Sequence, residues 1–260
     1  MKLDRIDNGN AFDWGRTSDD YAKFRDIYPD AFYQKIVDLG LCTEGQTVLD
    51  LGTGTGVLPR NLYKYGAKFT GADISENQIE QARRLSGGMD IEYIVASAED
   101  VSFPGKTFDT VTACQSFMYF DKAAVLPKIH AMLKDGGHFV ILFMAWLPEE
   151  SGIAKRSEEL VLKHNPAWTG DGMKRYTLPG TPRWAEELYE EDNIVTFSID
   201  IPFTRETWHG RMKACRGIGA SSMTEAQIAA WEREHTEYLE TQPEQFTIPH
   251  FATILSMRKR

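Results

Sequence analysis

The densest chemical signal in the sequence is an acidic residue followed by alternating glycines, in Val48-Leu49-Asp50-Leu51-Gly52-Thr53-Gly54-Thr55-Gly56. A hydrophobic run enters the loop, and Val57–Tyr65 leaves it with apolar residues at helical spacing, so the glycines stand at a strand-to-helix turn. Glycines there let the backbone adopt φ > 0 and approach a ligand closely. Two phosphate-binding versions of such a turn are incomplete: Val57 stands where a dinucleotide fingerprint needs its last glycine, and no Gly-Lys-Ser/Thr closes a P-loop. Asp50 points the same way, because a carboxylate beside a bound pyrophosphate is repelled. The competing reading of Asp50 is a carboxylate that caps loop amides.

Two further strand ends converge on the same edge. Gly71-Ala72-Asp73-Ile74-Ser75 closes the next strand with an acid at the spacing expected for gripping a ribose diol, although Asp73 also reads as the start of a helix N-cap. Ala96-Ser97-Ala98-Glu99-Asp100-Val101-Ser102-Phe103-Pro104 ends a third strand. Ligands of open α/β sheets bind outside the carboxyl ends of the strands, at the switch point. A nucleoside that carries a cationic sulfur and an ammonium group but no phosphate meets all three signals, and S-adenosylmethionine is such a molecule.

Elements able to position these residues recur from Thr47 to Leu147, as strand, glycine or acidic turn, then helix. The expected strands are Thr47–Leu51, Lys68–Ile74, Ile91–Ser97, Phe108–Gln115 and His138–Trp146, with helices Val57–Tyr65, Glu76–Ser86 (capped by Ser75) and Ala123–Leu133 between them. Nearly continuous apolar runs imply a parallel sheet buried on both faces. Beyond Trp146 the pattern changes to a helix over Glu149–His164 and an aperiodic Gly-, Pro- and Trp-containing stretch, Asn165–Pro182, read as an insertion or lid. Strands Ile194–Pro202 and Phe246–Met257, expected to pair antiparallel, flank helices near Arg205–Gly217 and Thr224–Glu240. One domain over 1–260 is expected, divided into N-terminal cap helices (1–46), a cofactor-binding core (47–147) and substrate-side insertions (148–193 and 204–242).

The stretch from Tyr21 to Trp146 resembles the class I S-adenosylmethionine-dependent methyltransferases, in particular the small-molecule group called type 11. The glycine loop is its most specific element, and Phe108-Asp109-Thr110-Val111 and Leu133-Lys134-Asp135-Gly136-Gly137 are further landmarks. The resemblance implies a Rossmann-like three-layer α/β sandwich with a seven-stranded, mostly parallel sheet whose last strand is antiparallel. It also implies S-adenosyl-L-methionine as cofactor and S-adenosyl-L-homocysteine as product. By that similarity Gly52, Thr53, Gly54 and Gly56 line the methionine and ribose portion, with Asp50 and Gln115 nearby, Asp73 holds the ribose diol and Ile74 packs on adenine. Ala98 and Glu99 meet the adenine edge; Ser97 stands where the commoner pattern has Asp. Tyr21 and Arg25 belong to a segment that closes over the cofactor, Arg25 pairing with its carboxylate; otherwise Arg25 is a surface residue of an amphipathic helix.

Methyl transfer is an in-line displacement from a sulfonium, so positioning and exclusion of water matter more than a dedicated base. Gln115-Ser116-Phe117-Met118-Tyr119-Phe120 follows the fourth strand and is not the Asn/Asp-Pro-Pro-aromatic motif of enzymes that methylate base amines or glutamine amides. Tyr119, Trp168, Tyr176, His209 and Arg211 are the candidate substrate-side residues. Tyr119 and His209 are the candidates for a direct chemical role, against the reading of His209 as a packing or surface residue. A net charge of −9 disfavours nucleic acid and anionic membrane. Three dispersed cysteines and no short histidine spacing argue against disulfides, a zinc site or any catalytic metal. No signal or membrane segment is evident, and a cytoplasmic location with a small-molecule partner is expected. A nucleotide-dependent oxidoreductase and a catalytically inactive S-adenosylmethionine-binding regulator are the alternatives.

Overall fold

The computed structural model describes residues 1–176, 183 and 185–260. The end of the expected Asn165–Pro182 insertion, residues 177–182, lies outside the described residues. Seven strands form one sheet: β1 (Thr47–Leu51), β2 (Lys68–Asp73), β3 (Ile91–Val95), β4 (Phe108–Cys114), β5 (Leu133–Trp146), β6 (Tyr189–Thr204) and β7 (Gln245–Lys259), in the order β3-β2-β1-β4-β5-β7-β6. The first five pair in parallel, with Asp50 of β1 in register with Gly71 on one side and Thr112 on the other. Strand β7 runs antiparallel to both neighbours, as the bonds Leu147 N to Pro249 O, Arg205 N to Glu244 O and Arg260 N to Leu188 O require. This is the expected α/β class and sheet, and among the described residues no helix is long and apolar enough to cross a membrane.

The chain groups into two compact units. One comprises Tyr28–Met144, the described part of 177–197 and Ala252–Arg260. It holds α2 (Asp30–Asp38), α3 (Val57–Leu62), α4 (Glu76–Leu85) and α5 (Lys122–Met132). Its core buries Leu49, Leu51, Val111, Phe108 and Phe139 of the strands against Val125 and Ile129 of α5. That burial explains the continuous apolar runs, since both faces of these strands are covered. Helix α4 starts where the sequence indicates: Ser75 Oγ accepts from Gln78 N at 3.4 Å, satisfying one of the orphan donors of the first turn.

The other unit comprises Met1–Ile27, Ala145–Tyr176 and Ser198–Phe251, and holds α1 (Ser18–Phe24), α6 (Gly152–His164), α7 (Arg205–Lys213) and α8 (Glu225–Glu240). Its core is aromatic: Trp208 packs edge-on against Trp146 and Phe203, with ring centroids 5.7 and 5.0 Å apart. A buried polar chain crosses it. Ser157 Oγ donates to Ile153 O and accepts from Trp208 Nε1, so His235 Nε2, 3.0 Å away, must donate to the same oxygen. His235 Nδ1 is then an acceptor, and His209 Nδ1 donates to it across 2.9 Å.

Burial holds two histidines of this unit neutral, His235 down to about 3 and His250 to about 4. In an unfolded chain both protonate near 6.5, so their stabilising effect is complete above that pH and is lost as pH falls toward the folded values. Thermal melts of the full chain are therefore expected to fall steeply between pH 6 and 4, with a contribution of about 1.4 kcal/mol per pH unit per histidine. His235→Gln should flatten part of that slope, and an unchanged slope would show that His235 titrates normally.

Candidate functional site

The glycine loop is fixed to the sheet before any ligand is considered. Gly52 N and Thr53 N both donate to Ala72 O, at 2.8 and 3.0 Å, tying the end of β1 to β2. Gly52, Gly54 and Gly56 all adopt positive φ. A Cβ on Gly52 would lie 2.4 Å from Ser116 Cβ, and one on Gly56 would lie 2.3 Å from the Tyr93 hydroxyl, so two of the three glycines are required by close approach as well as by backbone conformation.

Asp73 closes β2 with its carboxylate under the loop. Oδ2 accepts from Gly54 N and Oδ1 from Ser75 N, each at 2.9 Å. The carboxylate steadies the turn before α4, and each of its oxygens retains lone-pair capacity for a further donor. Burial raises its pKa, with the Ser75 and Gly54 amides pulling the other way. Beside it Ile74 is 58% exposed, and Val95, the β3 register partner of Asp73, is 47% exposed. Two large apolar side chains held open next to a carboxylate supply a face for a flat heterocycle.

Asp50 is buried beneath the loop, and Thr112 Oγ1 donates to its Oδ1 at 2.7 Å. Burial pushes its carboxyl up to about 6; the Thr112 bond opposes this and the nearby Asp73 adds to it. Gln115, where the chain leaves β4, has φ 60°, a left-handed conformation uncommon for a residue with a Cβ. Its Nε2 donates to Met144 O. Ser116 Oγ donates to Leu51 O at 2.7 Å, bracing the loop from the other side. These features assemble Asp50, Gly52, Thr53, Gly54, Gly56, Asp73, Ile74 and Gln115 at one edge of the parallel strands.

Other residues singled out from sequence are engaged by the protein itself. Ser97 Oγ donates to Asp100 Oδ2 at 2.8 Å and accepts from Asp100 N, which closes a local turn. Glu99 Oε1 accepts from Asp121 N at 2.8 Å, in the turn before α5, and Ala98 is buried. Tyr119 is half-buried in a single 3-10 turn after β4. In the other unit, the Arg25 guanidinium lies 4.7 Å from the Tyr21 ring. Trp168 is buried in the core against Val161 and Gly217, a packing position. Tyr176 is exposed and packs edge-on against Phe251. His209 stacks on Trp231 and His235, and burial lowers its pKa. Arg211 is buried with its guanidinium 4.7 Å from the Trp146 ring.

Sequence reasoning passed over Thr112, Tyr93 and Glu158. Thr112 is the β4 partner of Asp50, visible only once register is known. Tyr93 fills the space left by Gly56 and Gly71. Glu158 is a buried carboxylate that accepts from Trp146 Nε1 at 2.6 Å and Gly172 N at 2.9 Å. Among the described residues no group of three or more His, Cys, Asp or Glu gathers to hold a metal ion.

A parallel sheet in this order, with a glycine turn after β1 and an acid ending β2, defines a nucleoside-binding α/β protein. Residues 49–141 match the family model described as a methyltransferase domain. A Pseudomonas paraeruginosa ubiquinone biosynthesis O-methyltransferase is 30% identical over 166 residues, 62% of this chain and 70% of that protein. A methyltransferase-type protein of Dictyostelium discoideum is 27% identical over 183 residues, and the chain spans 64% of its length, just under two thirds. The Thiobacillus denitrificans S-adenosylmethionine-dependent methyltransferase, solved with S-adenosyl-L-homocysteine, shares the fold over the whole of both chains, with a TM-score of 0.51 and 17% identity. The chain belongs to the S-adenosylmethionine-dependent methyltransferases, and its cofactor is S-adenosylmethionine. The residues fit that molecule: the acids, the open apolar pair and a loop with no lysine or arginine between Asp50 and Val57 suit a cationic nucleoside without phosphate.

Proposed function

We propose that the protein transfers the methyl group of S-adenosylmethionine to a hydroxyl oxygen of a small-molecule acceptor. The observation that carries the cofactor half is Asp73, whose Oδ2 accepts from Gly54 N of the loop and Oδ1 from Ser75 N, beside the exposed Ile74 and Val95. The small-molecule and oxygen choices are supported by the ubiquinone biosynthesis O-methyltransferase relatives and by the lack of an Asn/Asp-Pro-Pro-aromatic motif after β4. In this reading Gly52, Thr53, Gly54 and Gly56 cradle the methionine and ribose, Asp73 holds the diol, and Ile74 packs on adenine. Gln115 and Ser116 hold the far wall of the cradle. Tyr119 and His209 are the candidates for a chemical role and Arg211 and Tyr176 the candidates for the acceptor side, whereas Trp168 serves the core. Orientation and exclusion of water supply most of the rate, as expected for displacement at a sulfonium. The expected location is the cytoplasm.

Transfer of label from methyl-labelled S-adenosylmethionine across a panel of hydroxylated small molecules tests this reading. Turnover that survives EDTA is the expected result. Tight cofactor binding with no acceptor methylated would favour the regulator instead, and labelling confined to amines or thiols would overturn the choice of oxygen.

The buried Asp50 adds a pH signature. A cation bound at the loop favours its ionised form, so affinity for S-adenosylmethionine should rise as pH passes upward through about 6. Between pH 5 and 7.5 the expected gain is about tenfold. The protein without ligand has the opposite dependence: a raised folded pKa means that this carboxyl's contribution to stability declines from about pH 4 to 6. Asp50→Asn should flatten both dependences, and a variant with the parent's binding profile would remove Asp50 from cofactor recognition.

A further inference from the structure

Strand β1 has a neighbour on each side, and the two differ at the level of Asp50. On β2 the register partner is Gly71, which has no side chain; on β4 it is Thr112. Close approach keeps position 71 a glycine, because a Cβ there would lie 2.8 Å from the Tyr93 ring and 2.9 Å from the Thr53 hydroxyl. A donor placed beside the Asp50 carboxylate along the sheet therefore has to come from β4. All of these residues belong to the unit that holds Tyr28–Met144.

Thr112 supplies that donor. Its Oγ1 lies 2.7 Å from Asp50 Oδ1 and 3.5 Å from Leu49 O, so the single hydroxyl proton goes to the carboxylate. Asp50 and Thr112 are both buried. Thr110, two residues earlier on the same face of β4, is equally buried, yet its hydroxyl has no hydrogen-bond partner. A buried threonine is thus tolerated in this strand without a bond, and the hydroxyl at 112 differs in being aimed at a charge. Titratable groups that face Asp50 are Asp73 of β2, the Cys42 thiol before β1 and the Tyr93 phenol of β3. Burial pushes the thiol and the phenol up, so both stay neutral, while Asp73 adds a like charge. Arg60 of α3 donates to Thr55 O and acts on Tyr93. The Thr112 bond opposes the burial of the Asp50 charge, because a hydroxyl donates more strongly to a carboxylate than to a neutral carboxyl.

We propose that Thr112 is the positioning residue for Asp50: its hydroxyl orients the carboxylate and holds it as an anion for the cationic cofactor at the glycine loop. The proposal rests on the reading of Asp50 as a partner of that cation, and it names the group that keeps the carboxylate ready.

The test is calorimetric titration of the full chain with S-adenosylmethionine between pH 5 and 8. The parent's affinity should rise through a midpoint near pH 6. Thr112→Val keeps the β-branched shape and removes the donor. It should move the midpoint up by about one pH unit, which weakens binding about fivefold at pH 6 and little at pH 8. Thr112→Ser, which keeps the hydroxyl, should keep the parent's midpoint, and so should Thr110→Val, which removes an unbonded hydroxyl from the same strand. In an Asp50→Asn background Thr112→Val should add nothing to the pH dependence. If Thr112→Val does not fold, Thr112→Ala removes the same donor and should show the same displacement. A donor-less variant that keeps the parent's midpoint, or is weakened equally at every pH, would overturn the proposal, as would an equal displacement from Thr110→Val. A parent that binds S-adenosylmethionine with an affinity constant over this range would overturn the reading of Asp50 beneath it.

Discussion

Asp73→Ala is expected to lower the affinity for S-adenosylmethionine at least 100-fold, the largest effect of any single side chain at the cradle. The carboxylate is asked to do two things: Oδ2 and Oδ1 hold the amides of Gly54 and Ser75, and their remaining lone pairs take the ribose hydroxyls. Each charge-assisted bond to the diol is worth about 1.5–3 kcal/mol, so losing two accounts for a change of that size without any contribution from the loop. Asp73→Asn separates the roles. Its amide offers only one acceptor oxygen, so it can hold one of the two backbone amides but cannot accept from both hydroxyls of the diol. An affinity within threefold of the parent for Asp73→Asn, measured by equilibrium dialysis, would show that the diol is held elsewhere.

The second large effect is on folding. Gly56→Ala places a Cβ 2.3 Å from the Tyr93 hydroxyl and 2.9 Å from its ring carbon, at a residue with φ 72°. The left-handed conformation alone costs about 1–2 kcal/mol in a residue with a Cβ. Tyr93 cannot swing away freely, because its hydroxyl is bonded to Ser86 Oγ at 2.9 Å and its ring is buried between β3 and α4. A total loss of about 3 kcal/mol or more is expected in urea unfolding. Tyr93→Phe in the same chain removes the closest atom and should recover part of the loss. Additive effects of the two substitutions would contradict the steric account, because residues in contact must couple.

Much of this arrangement is legible in the sequence because it is local. Strand β1 has the bounds that its apolar run indicates, and Ser75 caps α4 as its position implies. Departures occur where tertiary pairing overrides local pattern. Lys134-Asp135-Gly136-Gly137 reads as a turn, yet β5 already begins at Leu133; the register with β4 shifts between Phe108 and Thr110, which absorbs the extra residues, and Gly136 takes φ 72°. Strand β6 extends back to Tyr189 through Glu190, Glu191 and Asp192, residues of poor strand propensity, because Arg258 bonds Glu190 and His138 pairs with Asp192 across the sheet. Helix α7 stops at Lys213 rather than Gly217, and the chain continues through successive turns to Ser221.

At the site, the same division holds. The glycine loop, Asp50 and Asp73 are legible because backbone conformation and charge are written in residue type and spacing. Ser97 and Glu99 look like ligand-side groups in the sequence, but their side chains serve the turn and helix start beside them. Trp168 reads as a substrate-side candidate in an aperiodic stretch, and the structure packs it in the core.

The most direct test of the central claim is equilibrium titration of the full chain with S-adenosylmethionine, with NADH as the competing nucleotide. The account predicts saturable binding of one S-adenosylmethionine per chain and no binding of NADH, in keeping with a loop that offers acids and no cation to its ligand. Binding of NADH in place of S-adenosylmethionine would contradict it and make the strand-end cradle a dinucleotide site.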